Sequence, residues 1–349
     1  MKPLVAITAG DPAGIGPEIV LKALGDQVIY EACRPLVICD AQFLEGISRT
    51  LGLGAAAVRP VADPAVAQFM PGTVDVLDIH VPGLASIKAG TVQPEAGRAA
   101  LVWIREAARL ALAGEAGAIC TAPISKEAVV RSGVPGFKGH TEYLGELCGV
   151  ADPLTMFVVD NLKILFLTRH VSLAEAVASI KADRIERFIA LADEALRDLG
   201  IPCPRLAVAA LNPHSGEGGL FGREEELEIA PAVLRAREKG FDVAGPVPAD
   251  SVFYQARKGK FDAVISLYHD QGHIAAKTLD FERTVSVTLG LPFVRTSVDH
   301  GTAFDIAGKG IASAVSMKEA IKVAAGYAER IDVPTPSPRG SSCTLRLSG

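Results

Sequence analysis

The chain has 349 residues, 49% of them hydrophobic and 21% charged, enough apolar material for a sizeable core and for one large or two medium domains. Its formal net charge is −5, and no cluster of Lys and Arg interleaved with aromatics occurs, which speaks against nucleic acid as a partner. The first apolar run breaks at Gly10 and Asp11 and no stretch approaches a membrane span, so no membrane association is expected and a cytoplasmic location is.

Aromatics are scarce, and the bulk of Ala, Val, Leu, Ile and Gly suits parallel strands covered by small-residue helices. In chain order, Leu4 to Thr8 reads as a buried strand, followed by the glycine-rich "ITAGDPAGIGPEI" and a helix from Glu18 to Leu24. The loop's G-x-x-x-G-x-G spacing departs from the dinucleotide fingerprint G-x-G-x-x-G, and Pro17 offers no N–H to a phosphate; it fits the first turn of the helix, with Gly16 near the cap. Alone, this loop fits a tight strand-to-helix connection as well as a ligand loop. A helix is expected from Pro94 to Ala113, with Leu101, Ile104, Ala108 and Leu112 inward. Another is expected from Arg184 to Leu199, with Ile185, Ile189, Ala192, Leu196 and Leu199 on one face and Gly200 ending it. Apolar β-like runs alternate with helical periods, which predicts an α/β fold. Pro, Ser and Gly dominate after Arg330, so residues 331–349 read as a tail. The six cysteines, at 33, 39, 120, 148, 203 and 343, have no metal-site spacing and read as buried, reduced thiols.

Three histidines occupy one kind of place. His170 ends the apolar run "LKILFLTRH", His214 follows "RLAVAALNPH" and His269 follows "FDAVISLYH". The carboxyl ends of parallel strands open on a common crevice, so three imidazoles could converge there. Neutral imidazoles suit Zn, Co, Ni or Fe, and three protein ligands leave positions open for a substrate oxygen or water. Asp250 and Asp270 are acidic neighbours. In "GFKGHTEYLG", His140 and Thr141 stand just ahead of a helix, where an anion is favoured; Thr141 as a plain N-cap would also account for the pattern. Lys277 and Arg295 are further basic candidates. Arg295 follows the apolar "LGLPFV", which would hold its base in the interior, where a guanidinium needs an anion.

The segments "GDPAGIGPE", "GHTE", "LNPHSGEGG", "YHDQG" and "LGLPFVRTSVDHGTAFDIAGKG" resemble, in that order, motifs of the 4-hydroxythreonine-4-phosphate dehydrogenase family of vitamin B6 biosynthesis and its paralogues. The resemblance implies a two-domain isopropylmalate-dehydrogenase-like fold with mixed sheets and a cleft between domains. Residues 1–130 with 296–330 would form the first domain, carrying the NAD-binding loop. Residues 131–295 would form the second, carrying metal and substrate groups and dimer contacts.

NAD would be held by the segment from His300 to Gly310 through Gly301, Asp305, Ile306 and Gly308. Asp305 is suited to the adenosine ribose and unfavourable to a 2′-phosphate. One divalent metal per site, its identity open among Zn, Co, Mg, Mn, Ni and Fe, would be held by His170, His214 and His269. The family draws two of these from one subunit and one from its partner, implying a homodimer with the active site across the interface. Substrate contacts map onto His140, Thr141, Lys277, Ser286 and Arg295.

The reaction implied is oxidation of a secondary alcohol β to a carboxylate, followed by loss of CO2. For 4-hydroxythreonine 4-phosphate, the substrate most directly implied, the product is 3-amino-2-oxopropyl phosphate. Asp250, Asp270 and Lys277 are acid/base candidates. Ser286 stands where the family has Asn in "VNVTLGLP", and "HDQGHI" and "GLFGREE" look more like the paralogues. Those act on D-threonate or D-erythronate 4-phosphate, and a more distant branch on aromatic cis-dihydrodiol dicarboxylates. The rival from another class is a non-catalytic binder of small anions, which would need neither the three histidines nor the "DIAGKG" loop.

Overall fold

The structure is a computed structural model that describes residues 1–54 and 57–331. Two compact units emerge: Met1–Pro153 together with the described residues from Glu282 onward, and Leu154–Phe281. His140, Thr141, Ser286 and Arg295 belong to the first unit, and His170, His214, Asp250, His269, Asp270 and Lys277 to the second.

The first unit contains β1 (Leu4–Thr8), β2 (Arg34–Cys39), β3 (Ala57–Val61), β4 (Thr73–Asp78) and β5 (Ala118–Thr121). The second contains β6 (Leu154–Val159), β7 (Leu162–Phe166), β8 (Leu206–Ala209), β9 (Val243–Val247) and β10 (Ala263–Ser266); β11 (Val285–Leu289) and β12 (Val294–Val298) return to the first. Strand order in the first unit is β3-β4-β2-β1-β5-β12-β11, parallel except for the antiparallel β11–β12 hairpin. In the second it is β6-β7-β10-β8-β9, parallel except for β6–β7. The central strands β1, β5, β8 and β10 are buried at every residue, as expected where helices cover both faces of a parallel sheet.

The long helices follow their apolar stripes. Helix Ala182–Asp198 buries Ile185, Ile189, Ala192 and Leu196, and Leu199 just beyond it is buried too. Helix Pro94–Leu112 buries Leu101, Ile104 and Ala108 around the fully buried Trp103. Leu112, expected inward, is 51% exposed: the helix stops there, and Leu110 and Ala111 fill the inward positions instead. Of the cysteines, 33, 39 and 120 are buried free thiols, and burial pushes Cys33 and Cys120 up to about 12, leaving them protonated. Cys148 is free and half-buried. Cys203 corrects the expectation: it is exposed and disulfide-bonded. Cys343, and the tail apart from Ile331, lie outside the described residues; Ile331 ends the helix Val315–Ile331. Among the described residues no helix is long and apolar enough to cross a membrane.

Candidate active site

At the end of β1 the chain turns through Gly10, whose φ is +77°; a Cβ there would lie 2.5 Å from the Pro123 carbonyl oxygen, so only glycine fits. Asp11 N–H donates to that same oxygen at 2.9 Å, and Asp11 Oδ1 accepts from Ala13 N–H at 2.8 Å. Pro17 sits in the first turn of helix Gly16–Leu24, as its ring requires. The loop then meets the late segment, with Ile15 N–H donating to Thr302 O at 3.0 Å. Buried Glu18 accepts from Ala312 N–H at 2.8 Å and from Lys22 Nζ at 2.7 Å, while Lys22 donates to the Gly310 carbonyl at 2.9 Å. The loop carrying Gly301, Asp305, Ile306 and Gly308 is thereby anchored at both ends, with Gly301, Asp305 and Gly308 exposed. Burial pushes the Asp11 carboxyl up to about 6, and its Oδ2 is buried without a partner.

A second cluster of the first unit surrounds Arg295 on β12, only 3% exposed. Its Nη2 donates to Thr121 Oγ1 on β5 at 2.6 Å and its Nη1 to Thr288 Oγ1 on β11 at 2.9 Å, while its Nε is buried without a partner. Among the described residues no carboxylate forms an ion pair with it. Burial pushes the guanidinium down to about 10, still cationic at neutral pH. His140 is the first residue of helix His140–Cys148, and its Nε2 is also buried without a partner. Burial, with the charges of Arg295 and Lys126, holds this imidazole well below its usual range and therefore neutral. The N-cap of that helix is Gly139, with no side-chain capping bond, so Thr141 is not the cap; it is the second helical residue, half-buried. Ser286, half-buried on β11, lies two residues before Thr288 and so on the same face of the strand.

The histidines belong to the second unit. His170 follows β7, His214 follows β8 and His269 opens the helix after β10, and these three strands are parallel neighbours in the order β7-β10-β8. The rings of His170 and His269 lie 5.9 Å apart between centroids. His214 sits on a strained turn in the left-handed region (φ 51°), with Ser215 (φ 56°) and Glu217 (φ 43°) also left-handed. The turn is pinned by buried Glu225, which accepts from Leu211 N–H at 2.8 Å and Asn212 N–H at 2.7 Å. Gln271 ties neighbouring strand exits together, accepting from Leu267 N–H and donating to Ala210 O, each at 2.7 Å.

His269 donates from Nδ1 to Asp270 at 2.7 Å and His214 from Nδ1 to Glu217 at 3.2 Å, so in the neutral imidazole the lone pair of each lies on Nε2. A carboxylate on the far nitrogen is the usual companion of a metal-ligating imidazole, so the donor chemistry fits a divalent cation. Among the described residues of one chain, no group of three His, Cys, Asp or Glu is placed to hold a metal. Asp250 and Asp270 line a groove of about 660 Å³ between helices Ala249–Arg257 and His269–Leu279. Lys277 follows Asp270 by seven residues, two turns further along the same helix, its Nζ 5.1 Å from the Phe281 ring centre. The sequence reading missed Thr121, Thr288, Glu225 and Gln271. Gln271 lay inside "YHDQG" and Glu225 at the end of "GLFGREE", segments the sequence singles out, and Thr288 stood two residues beyond Ser286 with nothing to suggest its role; Thr121 carried no local signal.

The model of the family described as pyridoxal phosphate biosynthetic protein PdxA matches residues 31–324. A protein of Symbiobacterium thermophilum, named provisionally as a D-threonate 4-phosphate dehydrogenase, is 55% identical over 94% of this chain and 97% of its own. The crystal structure of 4-hydroxythreonine-4-phosphate dehydrogenase from Klebsiella pneumoniae is 44% identical with a TM-score of 0.87, covering 93% of this chain and 99% of that one. A terephthalate 1,2-cis-dihydrodiol dehydrogenase from Burkholderia xenovorans is 30% identical with a TM-score of 0.63, covering 93% and 98%. These likenesses carry the α/β fold expected from the sequence, and the chain belongs to the PdxA family of dehydrogenases.

Proposed function

We propose that the protein oxidises and decarboxylates a phosphorylated four-carbon hydroxy acid, D-threonate 4-phosphate, with NAD and a divalent metal. The observation that carries the reading is Arg295: a buried cation, held by two neutral hydroxyls and next to a neutral His140, has no ion-paired carboxylate among the described residues, Glu142 acting on it only through its charge, and a substrate phosphate or carboxylate would supply that partner. The choice of acid rests on the name of the 55% identical relative, on "HDQGHI", and on Ser286 in place of the Asn that the amino-acid substrate's family carries.

His140, Thr141, Ser286, Lys277 and Arg295 bind and orient the substrate. Arg295, positioned by its hydroxyl partners and cationic at neutral pH, grips an anionic end, while His140 Nε2 accepts a hydrogen bond or donates one after tautomer exchange. His170, His214 and His269 hold the metal, and Gly301, Asp305, Ile306 and Gly308 hold NAD. When bound, the metal supplies Lewis-acid polarisation of the reacting oxygen and NAD supplies the hydride acceptor. Asp270, Asp250 and Lys277 are the candidates to take the hydroxyl proton and to return one to the carbon that loses CO2.

The atoms balance: the hydroxyl loses a proton and its carbon a hydride, CO2 departs, and a proton replaces it, leaving 3-hydroxy-2-oxopropyl phosphate. A homodimer completes the metal site. This is supported by the exposed Leu173, Leu220 and Phe221 near His170 and His214.

The test is NADH formation by the purified protein with a panel of divalent metals and three substrates. These are D-threonate 4-phosphate, 4-hydroxythreonine 4-phosphate and an aromatic cis-dihydrodiol dicarboxylate. Highest kcat/KM on the first is expected. Preference for the second moves the protein to the amino-acid substrate despite Ser286, and preference for the third removes the phosphate from the reading.

A further inference from the structure

One element of the "HDQGHI" segment has no part in the reading above: His273, one helical turn beyond His269. The two imidazoles are stacked, with centroids 3.5 Å apart and planes 13° from parallel. Adjacent turns of a helix bring such side chains near each other but do not by themselves fix their planes. Here the second ring is fixed from behind. Phe157 of β6 meets it at 4.4 Å and 65°, Phe166 of β7 at 4.6 Å and 46°, and these two phenyl rings meet each other edge-on at 5.0 Å and 76°. His273 Nδ1 also donates to the His269 carbonyl at 2.9 Å. The helix can approach this closely because residue 272 is glycine. A Cβ there would lie 2.5 Å from Phe166 Cε1 and 2.8 Å from both Ile164 Cγ2 and Ser266 Oγ.

The consequence falls on His269. Its Nδ1 is engaged by Asp270, which sets the tautomer, and one face of its ring is covered by a neighbour that cannot rotate away. We infer that His273 is a positioning residue: the flat back wall that holds the His269 imidazole in the plane and rotamer from which its Nε2 binds the metal. This rests on the reading of His170, His214 and His269 as metal ligands. Packing that locks a ligand's rotamer lowers the entropy lost on binding, and changes at such supporting positions typically cost about 10–100-fold in metal affinity.

The test uses the full chain, Co2+ as the probe, and two variants, His273→Leu and His273→Phe. Co2+ affinity is read by titration of the visible absorption, and the His269 tautomer in the metal-free protein by side-chain 15N shifts. His273→Leu is expected to weaken Co2+ binding about tenfold and to shift the 15N signature of His269 toward a tautomer mixture. His273→Phe, which keeps a flat ring against His269, is expected to restore binding to within about threefold of the parent. Thermal unfolding of both variants guards against a folding defect. A folded His273→Leu protein with unchanged affinity overturns the inference, as does equal weakening by Leu and Phe. Failure of the parent protein to bind Co2+ overturns the metal reading itself, and the inference falls with it.

Discussion

Replacing Arg295 by Met keeps the volume and removes the charge, which separates a structural arginine from one held for a ligand. Burial has brought the guanidinium down to about 10, so at neutral pH the folded chain carries a cation disfavoured by about 3 kcal/mol. Because the folded value lies below the unfolded one, that cost is present at every pH below about 10 and is relieved only above it. Two hydrogen bonds to hydroxyls offset part of it. Met removes the cost and leaves the two hydroxyls without a donor. Thr121 retains its own bond to Thr296 O at 3.4 Å, so the loss, about 1–3 kcal/mol, falls mainly on Thr288.

These terms nearly cancel, and urea unfolding of Arg295→Met is expected to lie within about 2 kcal/mol of the parent. Catalysis is not spared. One or two charge-assisted bonds to a substrate anion are worth about 3 kcal/mol, so kcat/KM falls about 100-fold or more, mostly through KM. Inorganic phosphate is expected to raise the Tm of the parent and to leave that of the variant unchanged. A variant destabilised by more than about 4 kcal/mol with KM intact would refute the reasoning and make Arg295 a structural cation.

Asp11→Asn keeps the acceptor for Ala13 N–H but cannot ionise. The folded Asp11 carboxyl titrates near 6, above an unfolded value near 4, so the parent loses stability as pH rises through that interval. The variant matches the parent near about pH 4 and exceeds it by up to about 3 kcal/mol near about pH 8, measured by urea unfolding; parallel profiles would exclude a buried carboxylate there. Asp305→Ala removes one exposed negative charge from the proposed ribose position and is expected to raise kcat/KM for NADP relative to NAD by about tenfold. An unchanged ratio places the ribose elsewhere. His170→Ala is expected to weaken Co2+ binding by about 100-fold or more and to abolish turnover, while a chelator silences the parent reversibly; full activity after exhaustive chelation would exclude the metal.

What could be read in the sequence follows from the range of the forces involved. The stripe from Ile185 to Leu199 was legible because a helix on a sheet must bury one face, and that constraint repeats every few residues. The three histidines were legible because the end of an apolar run marks a strand exit, and parallel strands share their exits. Leu112 failed for a related reason: periodicity gives the face but not where the helix stops. The capping alternative for Thr141 failed because a capping residue and the second residue after a glycine cap look alike in sequence.

The partners of Arg295 were illegible in a different way. Thr121 lies 174 positions away on another strand, and a neutral hydroxyl among apolar residues has no pattern to distinguish it from any strand threonine. That the burial of Arg295 was nonetheless foreseeable, while its partners were not, reflects the chemistry of the site. A carboxylate partner would have completed the charge within the fold and left nothing for a ligand to do. Hydroxyls hold the guanidinium in place without neutralising it, so on the proposed reading the feature hardest to find in the sequence is the one that would keep this arginine ready for an anion.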